Sequence, residues 1–235
     1  MNSTGTKPDI PIFHEDEHLL VVNKPAGLLS QADHTGDPDL LSLCKRYLRA
    51  GGARDPFLGL VHRLDRPVAG VMMLAKTRRA AEDLARQVRD RLVQKTYRVT
   101  VFGKTAVNGV LTHHLEKDRS RNVVTARDET GTDSKEAVLS FARLDMAEEG
   151  GQTLCLLSVH LQTGRPHQIR VQLAAVGHAV WGDYKYGPEQ PDGRAMALRA
   201  YELVLRHPAT GKEMRFTSQL PQEDPWNRFN TSSEE

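Results

Sequence analysis

Strand-like segments follow one another along most of this chain, and few helix-like segments separate them. In "KTYRVTVFG", Tyr97, Val99 and Val101 alternate with polar residues, which is the two-residue period of a strand. Further strand-like segments cover residues 109–115, 135–144 and 153–161. Strands that mostly neighbour other strands are typical of an α+β domain, so we predict a mixed, largely antiparallel sheet with a few flanking helices.

Three segments carry helix signals. Asp37 is a candidate N-cap for a short helix that ends at Gly51, and Thr77 is a candidate N-cap for a second helix. A third helix is predicted to begin near Pro166 and to end at Gly177. We therefore expect one domain over residues 10–220, with flexible tails at 1–9 and 221–235.

The composition is that of an ordinary soluble globular protein, with 39% hydrophobic and 26% charged residues. No apolar run approaches the roughly 20 residues of a membrane span, and the N-terminal residues lack a signal-peptide pattern. Cys44 and Cys155 lie far apart without CxxC spacing, which indicates neither a disulfide framework nor a zinc site. These features predict a cytoplasmic location.

Basic residues are concentrated in two stretches, although the formal net charge is only +2. Eight basic and three acidic residues lie between Lys76 and Arg98, and four basic residues and one acidic residue lie between Lys117 and Arg127. Such clusters suit a phosphate backbone, but a solvated helix face has the same composition. Both interpretations stay open from charge alone.

Asp65 lies between Arg63 and Arg66 in "LVHRLDRPVAGVMMLAKT", which is apolar on both sides. If residues 60–65 form a strand, Arg63 and Asp65 share one face. An arginine within about 4–6 Å favours the ionised carboxylate. Asp65 is then suited to act as a nucleophile, a base or an electrostatic stabiliser, although an ordinary surface ion pair has the same pattern.

A second dense stretch is "LQTGRPHQIRVQLAAVGHAVWGDYKYG", in which Arg165 and Arg170 bracket His167 and Gln168 at a predicted helix start. Arginine side chains and helix N-termini both favour anions such as phosphate. His167 is interpreted as an oriented, hydrogen-bonded side chain rather than a metal ligand. The sequence contains no H-E-x-x-H, P-loop or GxGxxG motif, so we expect neither a metal nor a nucleotide cofactor.

Tyr97 opens a predicted strand directly after the basic helix. It can be a core aromatic residue with its hydroxyl at the rim, or a platform on which one nucleic-acid base stacks. Its surroundings in the sequence do not decide between these roles.

Together, "FHEDEHLLVVNKPAGLLSQ", "HRLDRPVAG", "KTYR" and "GRPHQIRVQLAAVGHAVWGDYKYG" resemble the successive motifs of the RluA-type pseudouridine synthases. The resemblance extends over residues 10–217. It implies the pseudouridine synthase fold with a central active-site cleft, and an enzyme that isomerises specific uridines in rRNA or tRNA without a cofactor or metal. We expect a stand-alone catalytic domain without an S4 domain, acting on RNA as a monomer.

The same resemblance implies roles for individual residues. Asp65 matches the essential aspartate, Tyr97 the tyrosine that stacks on uracil, and Arg170 the basic residue that pairs with the aspartate. Arg63 matches an arginine implicated in opening the RNA. Arg66, Arg165, His167 and Gln168 are further candidates for RNA contact.

Two alternatives to an isomerase make different demands on the sequence. A non-catalytic RNA-binding protein could keep the same fold. A nuclease would require a carboxylate cluster that holds metal or a histidine acid–base pair, and the sequence shows neither spacing. The isomerase interpretation is favoured because Asp65, Tyr97 and Arg170 are all present.

Overall fold

The computed structural model describes residues 10–118, 120–188 and 195–230. In chain order its elements are β1 (Ile12–Glu15), β2 (Leu19–Lys24), α1 (Leu40–Ala50), β3 (Gly59–Leu60), β4 (Ala69–Ala75), α2 (Arg78–Arg89), β5 (Gln94–Phe102), β6 (Asn108–Asp118), β7 (Val123–Arg127), β8 (Lys135–Glu149), β9 (Gln152–Leu161), α3 (Gln168–Ala175), β10 (Leu198–Arg206), β11 (Glu213–Thr217) and the short 3-10 helix Trp226–Arg228. The chain forms two compact units, one of residues up to 94 with 202–218, the other of 95–201 with the residues from 219 onward.

The first unit is built on antiparallel strands. β2 pairs with β1 and β4, the short β3 pairs with β4, and the second half of β10 pairs with β11. Every residue of β4 after Ala69 is buried, as expected for an apolar strand covered on both faces. Helix α2 packs Ala80 and Leu84 into one core with apolar side chains of β2, β4 and β10.

Local capping explains where the two helices of this unit begin. The Thr77 side chain accepts a hydrogen bond from the Ala80 N–H, which confirms the predicted N-cap of α2. Helix α1 begins differently from the prediction, because Asp39 rather than Asp37 accepts the hydrogen bond from the Ser42 N–H. The α1 helix still ends at Gly51, as the sequence predicts.

In the second unit, the antiparallel strands follow the order β5-β9-β8-β6-β7, and β8 contains a bulge between Arg143 and Asp145. Helix α3 packs on this sheet, with Val171 in a cluster with Leu115, Val124 and Ala137. Residues 168–173 of α3 are all buried, although three of them are polar. Their hydrogen bonds therefore decide how this helix is held.

The predicted fold class is confirmed, since the described helices flank strands that pair antiparallel within each unit. No helix among the described residues is long and apolar enough to span a membrane. The strand considered for residues 60–65 does not form, because the pairing of this segment with β4 includes only Gly59 and Leu60.

The predicted C-terminal tail is also wrong in part. Trp226 and Phe229 are buried in an apolar cluster with Leu154, Leu156 and Trp181. The Asn230 N–H donates to the Asp145 carboxylate. Large aromatic side chains bury enough apolar surface to hold the chain through residue 230. Residues 1–9 and 231–235, also predicted to be tails, lie outside the described residues.

Candidate active site

Asp65 is the first residue of a turn that follows β3 after a short segment outside any helix or strand. The pairing of β3 with β4 ends at Leu60. Two residues later, the His62 side chain still contacts β4, because its Nε2 accepts a hydrogen bond from the Met73 N–H (3.1 Å). The chain then leaves the sheet, and the Val68 N–H donates to the Asp65 carbonyl (3.0 Å). We call residues 65–68 the Asp65 turn. Because residues 61–65 are not a strand, the expectation that Arg63 and Asp65 share a strand face is wrong.

The loop after β2 braces the Asp65 turn on both sides of the aspartate. Before Asp65, the buried Ser30 hydroxyl donates to the Leu64 carbonyl (2.7 Å) and accepts from the Leu64 N–H (3.2 Å). After it, the Gly27 N–H donates to the Arg66 carbonyl (2.9 Å). Gly27 has a φ of +81°, which favours glycine at this point of the loop. Hydrogen bonds from one loop therefore fix the backbone before and after Asp65.

Lys24 is the third brace and was not identified as a site residue from the sequence. Its side chain is fully buried, and Nζ donates to the carbonyls of Pro25 (3.0 Å), Leu28 (2.6 Å) and Arg66 (3.1 Å). These bonds use all three donors of the ammonium group. Burial lowers the pKa of Lys24 to about 8, although the negative charge of Asp65 opposes that shift. A buried cation is thus close enough to act on Asp65.

The two arginines that flank Asp65 in sequence are both exposed. Arg66 donates from Nε to the Gly27 carbonyl (3.0 Å) and from Nη1 to the Asp37 carboxylate (2.7 Å). Asp37, predicted as a helix cap, is therefore an ion-pair partner of Arg66. Arg63 is exposed one residue before the buried Leu64. Both arginines are placed where they can contact a polyanion in solvent.

Arg170 lies in α3 and makes a buried, two-point ion pair with Asp183. Its Nε donates to Oδ2 (2.7 Å) and its Nη2 to Oδ1 (2.8 Å) of that carboxylate. Only 6% of the arginine side chain and none of the aspartate side chain is exposed. Burial alone would raise the pKa of Asp183, but the hydrogen bonds and charge of Arg170 hold it below its usual range. The sequence did not identify Asp183, because nothing local distinguishes it from a turn residue.

Tyr186 links Arg170 to its neighbours. The Arg170 guanidinium lies 5.1 Å from the centre of the Tyr186 ring, within the range of a cation–π contact. The Tyr186 hydroxyl accepts from the Val124 N–H (2.9 Å) and is hydrogen-bonded to His167 Nδ1 (2.6 Å). His167 caps α3 with a left-handed backbone (φ 55°), which is uncommon for a residue with a side chain. Its orientation therefore depends on Tyr186.

Arg165 and Gln168 brace the loop before α3. Gln168 is 3% exposed; its Oε1 accepts from Thr163 and from the Arg165 N–H, and its Nε2 donates to the Val138 carbonyl. These internal bonds give Gln168 a structural role, and its contact with RNA stays a prediction. The Arg165 Nε donates to the Glu136 carbonyl (3.0 Å).

Tyr97 lies in β5 opposite Val159 of β9 and is 7% exposed. Its neighbour Arg98 is also buried, with its guanidinium 4.1 Å from the Tyr201 ring centre and Nη1 bonded to Ser158. Arg98 therefore does not belong to the exposed basic surface that its sequence cluster predicted. Tyr97 is held in place by the antiparallel pairing of β5 with β9 in the second unit.

The first basic cluster is largely the exposed face of α2, formed by Arg78, Arg79, Arg86 and Arg89. Arg86 pairs with Asp83, Arg89 pairs with Asp90, and Arg78 lies over the Phe57 ring. The α2 arginines are thus on one solvated helix that could also follow a phosphate backbone.

Among the described residues, His14, Asp16 and His207 have possible metal-ligand atoms within 4.8 Å of one another. His207 Nδ1 accepts from the N–H groups of Ala209 and Thr210, and its Nε2 lies 2.8 Å from Asp16 Oδ2. When the ring is neutral, its proton therefore lies on Nε2. A metal ion in this cluster would need the lone pair of that same nitrogen. The hydrogen bonds of this cluster, which join His14 and His207 to Asp16, favour a structural role over a metal site.

A cavity of about 460 Å³ lies in the first unit and is lined in part by Glu15, Tyr47, Phe57 and Lys76. Glu15 accepts hydrogen bonds from Tyr47 (2.9 Å) and Lys76 (2.8 Å). None of the predicted site residues lines this cavity. It is therefore not the predicted active site.

Known proteins resemble this chain over most of its length. Residues 18–175 match the family model described as RNA pseudouridylate synthase. A Zymomonas mobilis protein named ribosomal large subunit pseudouridine synthase D is 34% identical over 92% of this chain and 71% of its own length. An uncharacterised RNA pseudouridine synthase of Bacillus subtilis is 34% identical over 92% of this chain and 70% of its own.

The fold is shared with a solved structure as well. The human RNA pseudouridylate synthase domain containing 1 superposes with a TM-score of 0.74 at 22% identity, covering 92% of this chain and 86% of that one. At this identity the likeness shows the fold, and it agrees with the fold predicted from the motifs.

Proposed function

The chain belongs to the RNA pseudouridylate synthase family and is an RNA pseudouridine synthase, and on this premise we propose that Asp65 reacts at the ribose of a uridine in ribosomal RNA. The observation that carries the role of Asp65 is its turn. Ser30, Gly27 and Lys24 bind the backbone on both sides of the aspartate, and a buried cation lies close to it. A carboxylate held in this way is preorganised for reaction.

The chemistry requires one carboxylate rather than two. The N1–C1′ bond of uridine breaks, the uracil turns over, C5 bonds to C1′ and the C5 proton is lost. A carboxylate assists such an electron-poor C1′ centre, as it does in glycoside cleavage. Asp65 acts either by attack at C1′ or by taking a proton from C2′, and both routes use its ionised form. Water must be excluded, because it would hydrolyse the intermediate.

An ionised carboxylate in a dry pocket needs positive charge nearby. Lys24 supplies one buried cation, and its three carbonyl partners keep the ammonium group in place. We assign to Arg170 the role implied by the matching family residue, that of the arginine which supports the ionised aspartate. Asp183 keeps this arginine in one orientation.

A stacked uridine cannot expose its C1′ to a side chain, so the nucleotide must leave the helix. The cost is a few kcal/mol and is smallest in loops and bulges. Stacking on Tyr97 and phosphate contacts from Arg63, Arg66 and the α2 arginines would offset it. The exposure of these arginines in the first unit supports this role.

The named relatives support large-subunit ribosomal RNA as the substrate class. We expect the protein to act as a monomer in the cytoplasm, without a metal ion or cofactor. The non-catalytic alternative gains no support from any described residue.

The test is tritium release from RNA labelled at uracil C5. Ribosomal RNA and transfer RNA that lack pseudouridine are each mixed with wild type, Asp65→Asn and Asp55→Asn. Asp55 is a matched control, since its side chain is 97% exposed in the same unit. We expect release from ribosomal RNA by wild type and Asp55→Asn only.

Release by Asp65→Asn at the wild-type rate would refute the role of Asp65. Release from transfer RNA alone would correct the substrate class and leave the chemistry intact. Binding of both RNAs without release by any variant would favour the non-catalytic alternative.

A further inference from the structure

Beyond the residues to which the family resemblance assigns a role, we propose that Asp183 and Tyr186 are positioning residues of the isomerisation, which fix the guanidinium of Arg170 and the ring of His167 for their contacts with the reacting nucleotide. This inference rests on the proposed function, because Arg170 has a catalytic role only if the reaction uses it. Neither Asp183 nor Tyr186 needs to touch the uridine. Their effect would pass through Arg170 and His167.

The Asp183 carboxylate is hydrogen-bonded on both oxygens. Oδ2 accepts from Arg170 Nε, while Oδ1 accepts from Arg170 Nη2 and from the N–H groups of Lys185 (2.9 Å) and Tyr186 (3.3 Å). The turn after Asp183 therefore orients the carboxylate before it meets the arginine. Four bonds to a side chain without exposed surface leave it little freedom.

Asp183 binds one particular edge of the Arg170 guanidinium. A guanidinium presents its donors in a fixed, planar fork. Asp183 engages the Nε and Nη2 edge, so the direction of Nη1 is set by the ion pair. The Tyr186 ring lies 5.1 Å from the guanidinium carbon and limits rotation out of that plane. An arginine held on two sides can support a developing or existing negative charge without first ordering itself.

The Tyr186 hydroxyl joins strand β7 to the start of α3. Tyr186 accepts from the Val124 N–H of β7 and is bonded to His167 at the start of α3. Its ring packs with the cluster that holds α3 on the sheet. The His167 ring, with its strained left-handed backbone, is thus oriented from β7 rather than by α3 alone.

A purely structural ion pair would show the same contacts, so the test needs a readout that folding alone does not move. Asp183→Asn keeps the shape but removes the charge, and Tyr186→Phe keeps the ring under Arg170 but removes the hydroxyl. Asp224→Asn is the matched control, because Asp224 pairs with the Nε of Arg228 at an exposed site in the same unit. Each full-length variant is assayed by tritium release from ribosomal RNA over pH 5–9, with thermal unfolding measured in parallel.

For Asp183→Asn we expect kcat to fall about 10- to 100-fold with KM changed less than about twofold, the effect typical of losing an orienting partner. We also expect the acid limb of the kcat–pH profile to move to higher pH by about half a unit or more, since a looser Arg170 supports the ionised aspartate less. Tyr186→Phe should lower kcat about 2- to 10-fold, since His167 loses the hydrogen bond that orients its ring. Asp224→Asn should match wild type.

An Asp183→Asn protein that unfolds at a lower temperature but keeps the wild-type kcat and pH profile would overturn the inference and leave a structural ion pair. If that variant does not fold, Tyr186→Phe decides, and an unchanged kcat overturns the inference. A rise in KM alone would assign these residues to RNA binding and also contradict it. A wild type that releases no tritium would instead refute the proposed function, and the inference with it.

Discussion

The Asp65 turn in the first unit and the Arg170 ion pair in the second both involve a buried cation, but they hold it differently. Lys24 donates only to backbone carbonyls, so its charge meets dipoles and the nearby charge of Asp65. Arg170 meets the full opposite charge of Asp183 through two hydrogen bonds. The braces of the first region bind the backbone on both sides of Asp65, whereas the second region commits one whole carboxylate to orienting its arginine.

Because of this difference, the two regions respond differently to the loss of one charged side chain. Removing a partner from a buried ion pair leaves an uncompensated charge, which is among the most costly changes in a protein. Lys24 has only carbonyl hydrogen-bond partners among the described residues, so replacing it removes the buried charge and its donors together and leaves no hydrogen-bonded counter-charge behind. The remaining cost is that of carbonyl groups without donors.

The largest effect is expected for Asp183→Ala. It leaves the Arg170 guanidinium buried without its counter-charge, and we expect the free energy of unfolding to fall by about 3–5 kcal/mol. Urea unfolding at pH 7 measures this against Asp224→Ala, whose exposed pair should contribute less than about 1 kcal/mol. Equal losses in the two variants would mean that burial does not distinguish these ion pairs.

Lys24→Met should be the next most costly change. The apolar chain fills the site, but the carbonyls of Pro25 and Leu28 lose a donor at a cost of about 1–3 kcal/mol for each buried group left unsatisfied. Tritium release should fall as well, because the Asp65 turn loses a brace. Unfolding and activity are measured on the same preparation. Full activity in a destabilised variant would show that Ser30 and Gly27 suffice to hold the turn.

The pH dependence of stability should separate the two cations. The pKa of Lys24 is lowered to about 8 from 10.5, so between these values the unfolded chain binds a proton that the folded protein does not. Stability from this group therefore rises with pH, by about 1–2 kcal/mol from pH 8 to 9.5. The difference in unfolding free energy between wild type and Lys24→Met should grow by that amount. A constant difference over this range would contradict the lowered pKa.

The smallest effect is expected at the surface beside the Asp65 turn. Asp37→Asn removes the 2.7 Å ion pair with Arg66, whose side chain is 51% exposed. We expect a loss of about 0.5 kcal/mol or less in stability, further reduced at high salt. Thermal unfolding at low and high ionic strength checks this. A loss comparable to that of Lys24→Met would mean that Arg66, rather than the buried lysine, holds the turn.

Local patterns in the sequence predicted much of the architecture. The two-residue period around Tyr97 identified β5, Thr77 identified the start of α2, and Gly177 follows the end of α3 closely. These features depend on residues close together in the chain, so the sequence displays them directly. Three local predictions were wrong, at the strand near Asp65, at the cap of α1 and at the tail with Trp226, because packing and contacts between distant residues decided them.

The fold class, the cap of α2 and the charged residues that can serve an RNA isomerase were all readable from the sequence, since periodicity, capping and motif order are local properties. The bracing of the Asp65 turn by Lys24 and the orientation of Arg170 by Asp183 became visible only in the folded structure. Lys24 binds the carbonyl of Arg66, which is 42 positions away in the sequence. Arg170 binds the carboxylate of Asp183, which is 13 positions away and outside helix α3. Such partners are chosen by burial, because a charge removed from water must find compensation wherever the fold brings it.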